Sequence, residues 1–166
     1  MAGGAEQLKP VLIAVDTEEA SLRALAWALD QFAFGTNPSS IHLVHVVRTL
    51  STQLEVYLGC GPGSAYNFSD PTPHHEIQDV VHAKEFLHNR VVPIIDSKGL
   101  QHELHLFVET ATAPAKAIFE VIEKVAAHIK PVLVVIGCNN KSDDLILGPV
   151  AKLCQTGLDV PVALVR

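Results

Sequence analysis

The stretch PVLVVIGCNNKSDDLILGPVAK, residues 131–152, restricts the fold more than any other part of the chain. Residues 132–136 are an unbroken apolar run, Gly137 opens a polar loop, and Gly148 with Pro149 starts a helix. An apolar run without alternation suits a strand buried on both faces, as in parallel sheets covered by helices. In such a sheet, a strand that passes through a glycine into a loop and a helix aims free N–H groups and a positive dipole end at the crevice. That geometry holds phosphates. The loop is not a Walker loop, since no Gly-Lys-Ser/Thr follows, and it is not GxGxxG.

The rest of the chain repeats the same alternation of strand and helix. VLIAVD ends on Asp16, and Thr17, Glu18 and Glu19 then open a helix with acidic residues in its first turn. SLRALAWALDQF places Leu22, Leu25, Ala26, Leu29 and Phe32 on one stripe. SIHLVHVVR, residues 40–48, is a second strand. Residues 74–99 read as a helix with Ile77, Val80, Val81, Leu87, Val91 and Ile94 on its apolar face and a kink at Pro93. HELHLFVET, residues 102–110, is a third strand, and Pro114 starts the helix that precedes residues 131–136. A helix over residues 149–156 and a strand over residues 160–165, VPVALV, complete the chain. The order β-α-β-α-β-α-β-α-β describes one doubly wound, five-stranded parallel α/β sheet with helices on both faces.

At 166 residues and 48% hydrophobic, the chain has material for one well-buried core. We therefore expect a flexible arm over residues 1–8 and one domain over residues 9–166. Within it, residues 49–73, rich in Gly, Pro, Ser and Thr, form an insertion that leaves the carboxyl edge of the second strand. It reads either as a lid or partner-binding loop or as an insertion with no task. Against 18 acidic side chains stand 12 basic ones, with no Lys/Arg run, so nucleic acid is not an expected partner. No leader, lipidation signal or membrane-spanning run is evident, which points to a cytoplasmic protein without membrane contact. Cys60, Cys138 and Cys154 are odd in number and lack CxxC spacing, so they imply neither a disulfide framework nor a zinc knuckle.

Asp16 stands at the carboxyl end of the first strand, where a carboxylate can accept hydrogen bonds from a ribose or an adenine amino group. It can also cap the following turn, and the two roles are compatible. In the loop between Gly137 and Gly148, Gly137 permits a sharp turn while Asn139, Asn140, Lys141 and Ser142 offer donors. Asp143 and Asp144 oppose them, and Pro149 removes a helix-start N–H, so this is a poor triphosphate cradle. Cys138 reads as a reactive thiol near a helix start or as a small apolar filler. The nine histidines carry no HxxxH or HExxH signature, and strand alternation puts His102 and His105 on opposite faces. We therefore expect no metal site. No GxSxG elbow or hydrolase triad can be assembled, so no catalytic residue is expected either.

Several segments resemble the universal stress protein family over residues 9–166. They are VLIAVD with Asp16; SLRALAWAL with Ser21, Ala24, Trp27 and Ala28; IHLVHVV; VET before a proline-started helix containing AKAI; LVVIG; and the ending GLDVPVALVR. The resemblance implies a Rossmann-like sheet, a homodimer pairing the last strands, here Val160 to Val165, and, in a subset, ATP binding. It also implies that Asp16 and Val46 meet the adenosine, while Gly137 and Gly148, with Asn139 and Asn140 between them, meet the phosphates. The ATP-binding subset has Gly, two residues, Gly, nine residues, then Gly with Ser or Thr. This chain has Asn140 for the second glycine, Asn139 for the arginine common before it, seven residues before Gly148, and Pro149 for the hydroxyl residue. Those losses should weaken triphosphate binding by several multiples of the roughly 1–3 kcal/mol of a charged hydrogen bond. The expectation is a homodimeric regulatory or binding module in stress response without tight ATP binding. The alternative is an adenine-nucleotide protein, taking ATP or AMP with slow or no hydrolysis.

Overall fold

The computed structural model describes residues 9–33, 39–48, 74–109, 113–138 and 147–166. The expected arm and insertion lie outside them. The elements run β1 (Lys9–Ala14), α1 (Glu19–Ala33), β2 (Ser39–Arg48), α2 (His74–Phe86), a π-helical turn (Leu87–Val91), α3 (Val92–Asp96), β3 (Gln101–Glu109), α4 (Pro114–Ile129), β4 (Leu133–Gly137), α5 (Pro149–Gly157) and β5 (Val162–Val165). The five strands pair in the order β3-β2-β1-β4-β5, all parallel, with helices on both faces, a Rossmann-like α/β fold. No helix among the described residues is long and apolar enough to cross a membrane.

Strand geometry explains the unalternating apolar runs. Successive side chains of β1 point to opposite faces. Val11 and Ile13 join α1, α2, the π turn and α3, whereas Leu12 joins α4 and α5. Both faces are thus dry, and a run such as VLI buries every residue. On the first face Ala24, Leu25, Ala28 and Leu29 of α1 are fully buried. Each large side chain so removed from water contributes about 1.5–3 kcal/mol. The stripe on α1 is rotated slightly from the expected one: Ala26 is exposed, and Ala24 and Ala28 take the inner positions. Alanines there let the helix lie close to the sheet.

Helix α2 continues into the π turn and α3 without a loop. Val92 N–H donates to the carbonyl of Leu87, five residues back, so this turn holds one residue more than an α-turn. Pro93 follows at once and has no N–H to give. The wider turn keeps Val80, Ala83, Leu87, Val91 and Ile95 buried in line. For that reason Ile94, expected on the apolar face from α-helical spacing, is only half-buried; Val81, ahead of the turn, lies beside the buried Val80 and is exposed. Gly99, at φ 65°, ends the segment in the left-handed region before β3.

Candidate functional site

The carboxyl ends of β1, β2 and β4 surround a cavity of about 250 Å³. Asp16, Val46, Gly137 and Gly148 all line it. Four residues expected to meet a ligand are therefore brought together, while Asn139 and Asn140 lie outside the described residues. Ile118, Ile122 and Val150 supply apolar wall from α4 and α5. A wider, more open cavity of about 810 Å³ adjoins it, sharing Asp16, Val46 and Val150 and adding Arg48, Asp79 and His82 at its rim.

Asp16 is fixed by its own turn. One carboxylate oxygen, Oδ1, accepts the N–H of Glu18 at 2.9 Å, an Asx turn that leads into α1. Ser21 Oγ accepts the Asp16 N–H at 2.9 Å and donates back to the Asp16 carbonyl at 2.7 Å. The capping role foreseen for Asp16 is thus filled by one oxygen on an exposed residue at the cavity mouth. Ser21, buried itself, ties the loop after β1 to the first turn of α1.

Gly137 works differently from the sharp turn expected of it. Its φ is not positive. A Cβ at this position would overlap the Ala20 carbonyl and lie 2.6 Å from Ser21 N. The requirement is therefore close approach: the first turn of α1 rests directly on the end of β4. Gly148, at φ −58° and ψ 155°, precedes α5 as its N-cap, and a Cβ there would meet nothing among the described residues within 4 Å. Pro149 occupies the first helical turn, so one of the N–H groups normally free at a helix start is missing.

His45 was submerged among the nine histidines, yet the fold buries it beside this site. Its Nδ1–H donates to the Val15 carbonyl at 2.7 Å, and its ring meets Phe86. Burial lowers its pKa from 6.5, opposed by the bond to Val15 and the charge of Asp16. Cys138 is buried with its N–H on the Val165 carbonyl at 2.7 Å. Burial raises its thiol pKa, opposed by Arg166, and raises that of Cys154 to about 11. Both thiols are buried, and both shifts run opposite to the lowered pKa of a reactive thiolate. Cys60 lies outside the described residues.

A second polar group lies deeper, on the α4 face of β2 and β3. The sheet register places His42 opposite Glu103 and Val44 opposite His105. His42 Nδ1 stands 3.1 Å from His105 Nε2 and 3.7 Å from a Glu103 oxygen, while His105 Nε2 is 3.8 Å from the other. Ser40 Oγ lies 3.3 Å from His42 Nε2. Burial lowers the pKa of both rings, with Glu103 opposing; for His105, His42 and His128 add to the lowering. No sequence spacing reveals this group, because the partners are 63 residues apart and meet only through the register.

Comparison with solved proteins gives the same architecture. A universal stress protein from Archaeoglobus fulgidus is 24% identical, with 95% of this chain and 93% of that one covered at a TM-score of 0.62. The Archaeoglobus fulgidus universal stress protein in complex with dAMP is 22% identical, covering 97% and 99% at 0.57. A family protein from Arabidopsis thaliana with AMP bound is 19% identical, covering 94% and 89% at 0.53. No curated protein matches. The family model described as Universal stress protein family matches residues 7–166. With almost the whole sequence matched and the five-stranded parallel sheet in place, the chain belongs to the universal stress protein family.

Proposed function

We propose that the chain binds an adenine nucleotide of low charge, AMP or adenosine in preference to ATP, with hydrolysis slow or absent. The observation that carries this reading is the convergence of Asp16, Val46, Gly137 and Gly148 on one cavity at the carboxyl edge of the sheet. Its apolar walls suit a flat base. The Asp16 oxygen not used by Glu18 N–H suits ribose hydroxyls or an exocyclic amine. The dAMP and AMP carried by two structural relatives support the same ligand class. A triphosphate is disfavoured by Pro149, which offers no N–H, and by Asp143 and Asp144 against Lys141 in the connecting loop.

Calorimetric titration of nucleotide-free protein with AMP, adenosine and ATP, with and without magnesium, tests the proposal. AMP or adenosine should bind at least about tenfold tighter than ATP, equivalent to about 1.4 kcal/mol. Asp16→Asn should weaken AMP by a similar factor while keeping the turn. Absence of heat with all three ligands, or equal AMP affinity in the variant, would overturn it.

A second reading, compatible with the first, is a homodimeric regulatory module. It rests on β5, a short edge strand whose four residues are half-buried and bear no charge. Sedimentation at micromolar concentration tests it, and a monomeric mass would remove it.

A further inference from the structure

We propose that His42, Glu103 and His105 form a binding site for a divalent transition-metal ion, with zinc as the reference ion. Among the described residues this is the one group of three ligand-type side chains whose donor atoms lie within 4.8 Å of one another. The two ring nitrogens stand 3.1 Å apart, and each lies 3.7 or 3.8 Å from a Glu103 oxygen. Ligands at about 2.0–2.2 Å from one tetrahedral zinc are roughly 3.4 Å apart, so the nitrogens already stand near ligand spacing and the carboxylate lies just outside it. The two Glu103 contacts use different oxygens, so one oxygen swings inward or both bind.

The surroundings favour an ion as well. Two imidazole nitrogens 3.1 Å apart need either a shared proton or a cation between them. With His42 Nδ1 on a metal, Nε2 carries the hydrogen, and Ser40 Oγ is placed to accept it. Such outer partners fix the ring and tautomer of metal-bound histidines. His105 is only 2% exposed, whereas the Glu103 side chain is 42% exposed, so the site has a buried floor and a solvent-facing carboxylate through which an ion can enter. His128, in the last turn of α4, acts on the charge of His105, and with three protein ligands the fourth position of a zinc would be taken by water. Two imidazoles and a carboxylate select d-block ions such as zinc, nickel or copper over magnesium or calcium. The site lies on strands β2 and β3 away from the Gly137 edge, so the inference stands independently of nucleotide binding.

The test is titration of the full, chelator-treated chain with Co²⁺, read by visible absorption, followed by displacement with Zn²⁺. One ion per chain with the intense bands of low-coordinate cobalt, lost on adding zinc, is expected. Glu103→Gln and His42→Gln should each weaken zinc by more than the about 10–100-fold that changes to outer partners cost. His88→Gln, at an exposed position on the π turn, should leave it unchanged. Circular dichroism checks that each variant folds; if His42→Gln does not, the exposed Glu103→Gln decides. Absence of cobalt bands and of zinc binding in the parent chain, or parental affinity in the folded Glu103→Gln variant, overturns the proposal.

Discussion

The two polar regions of this sheet are built by opposite means. At the carboxyl edge, Asp16, Ser21 and Gly137 are held by backbone: an Asx turn, a serine bonded to its loop, and a helix turn lying on a glycine. Farther back, His42, Glu103 and His105 are held by one another, side chain to side chain across two strands. The difference teaches where each region is fragile. At Gly137 the edge tolerates no added atom, because a Cβ there would meet the backbone of α1. The histidine group tolerates added apolar volume better than the loss of one partner, because a buried polar atom left alone costs about 1–3 kcal/mol.

The harshest way to break the edge is Gly137→Val, whose Cβ would run into the backbone of Ala20 and Ser21. We expect a loss of about 3 kcal/mol or more in urea unfolding, since backbone cannot yield as a side-chain tip can. A loss below about 1 kcal/mol would show that α1 moves freely. Next in size is His105→Leu, which leaves His42 Nδ1 without its partner at 3.1 Å and should cost about 2 kcal/mol. Adding His42→Leu should recover most of that, as replacing both members of a buried polar pair often does. Strictly additive losses in the double-mutant cycle would contradict mutual support.

Smaller effects sharpen the comparison. Asp16→Ala removes the acceptor of Glu18 N–H and should cost about 1 kcal/mol, whereas Asp16→Asn should cost little; equal losses would mean that charge, not the turn, matters. His45 gives the edge a pH dependence. Its folded pKa is depressed below 6.5 by burial, so the unfolded chain takes up a proton that the folded chain resists. Stability from this group is present above pH 6.5 and is lost as pH falls from there toward the folded pKa. Asp16 opposes the shift, and Arg48, Asp79 and His82 line the same outer cavity as His45. His45→Gln should show a shallower acid loss across a series of urea melts; an unchanged slope would exclude His45 as its source. Least of all, Gly148→Ala should change stability by about 0.5 kcal/mol or less, for its Cβ meets no described residue within 4 Å. A large loss would reveal a contact that the Gly137 comparison does not anticipate.

The sequence disclosed the edge because such sites sit where strands stop. Asp16 ends an apolar run and Gly137 ends another, and both are visible as punctuation. The reason for Gly137 was hidden, because the atom it makes room for belongs to Ala20, more than a hundred residues earlier. The histidine group was hidden for the same cause. Local spacing separates His102 from His105 correctly, but only the pairing of His42 with Glu103 shows which histidine meets which. The faces of α1 and of residues 80–95 were read one position off at Ala26, Val81 and Ile94. At Ile94 the reason is the extra residue in the π turn, which an ideal period of 3.6 does not allow for.

That extra residue bears on how the chain can change length. The buried positions 80, 83, 87, 91 and 95 are spaced by three, four, four and four. Were a single solvent-facing residue such as Asn89 deleted, they would fall at 80, 83, 87, 90 and 94, the recurrence of an uninterrupted α-helix. The π turn is thus a place where one residue can enter or leave a helix while both flanking segments keep the same side toward the sheet. Gains and losses of sequence need not be confined to loops in this fold.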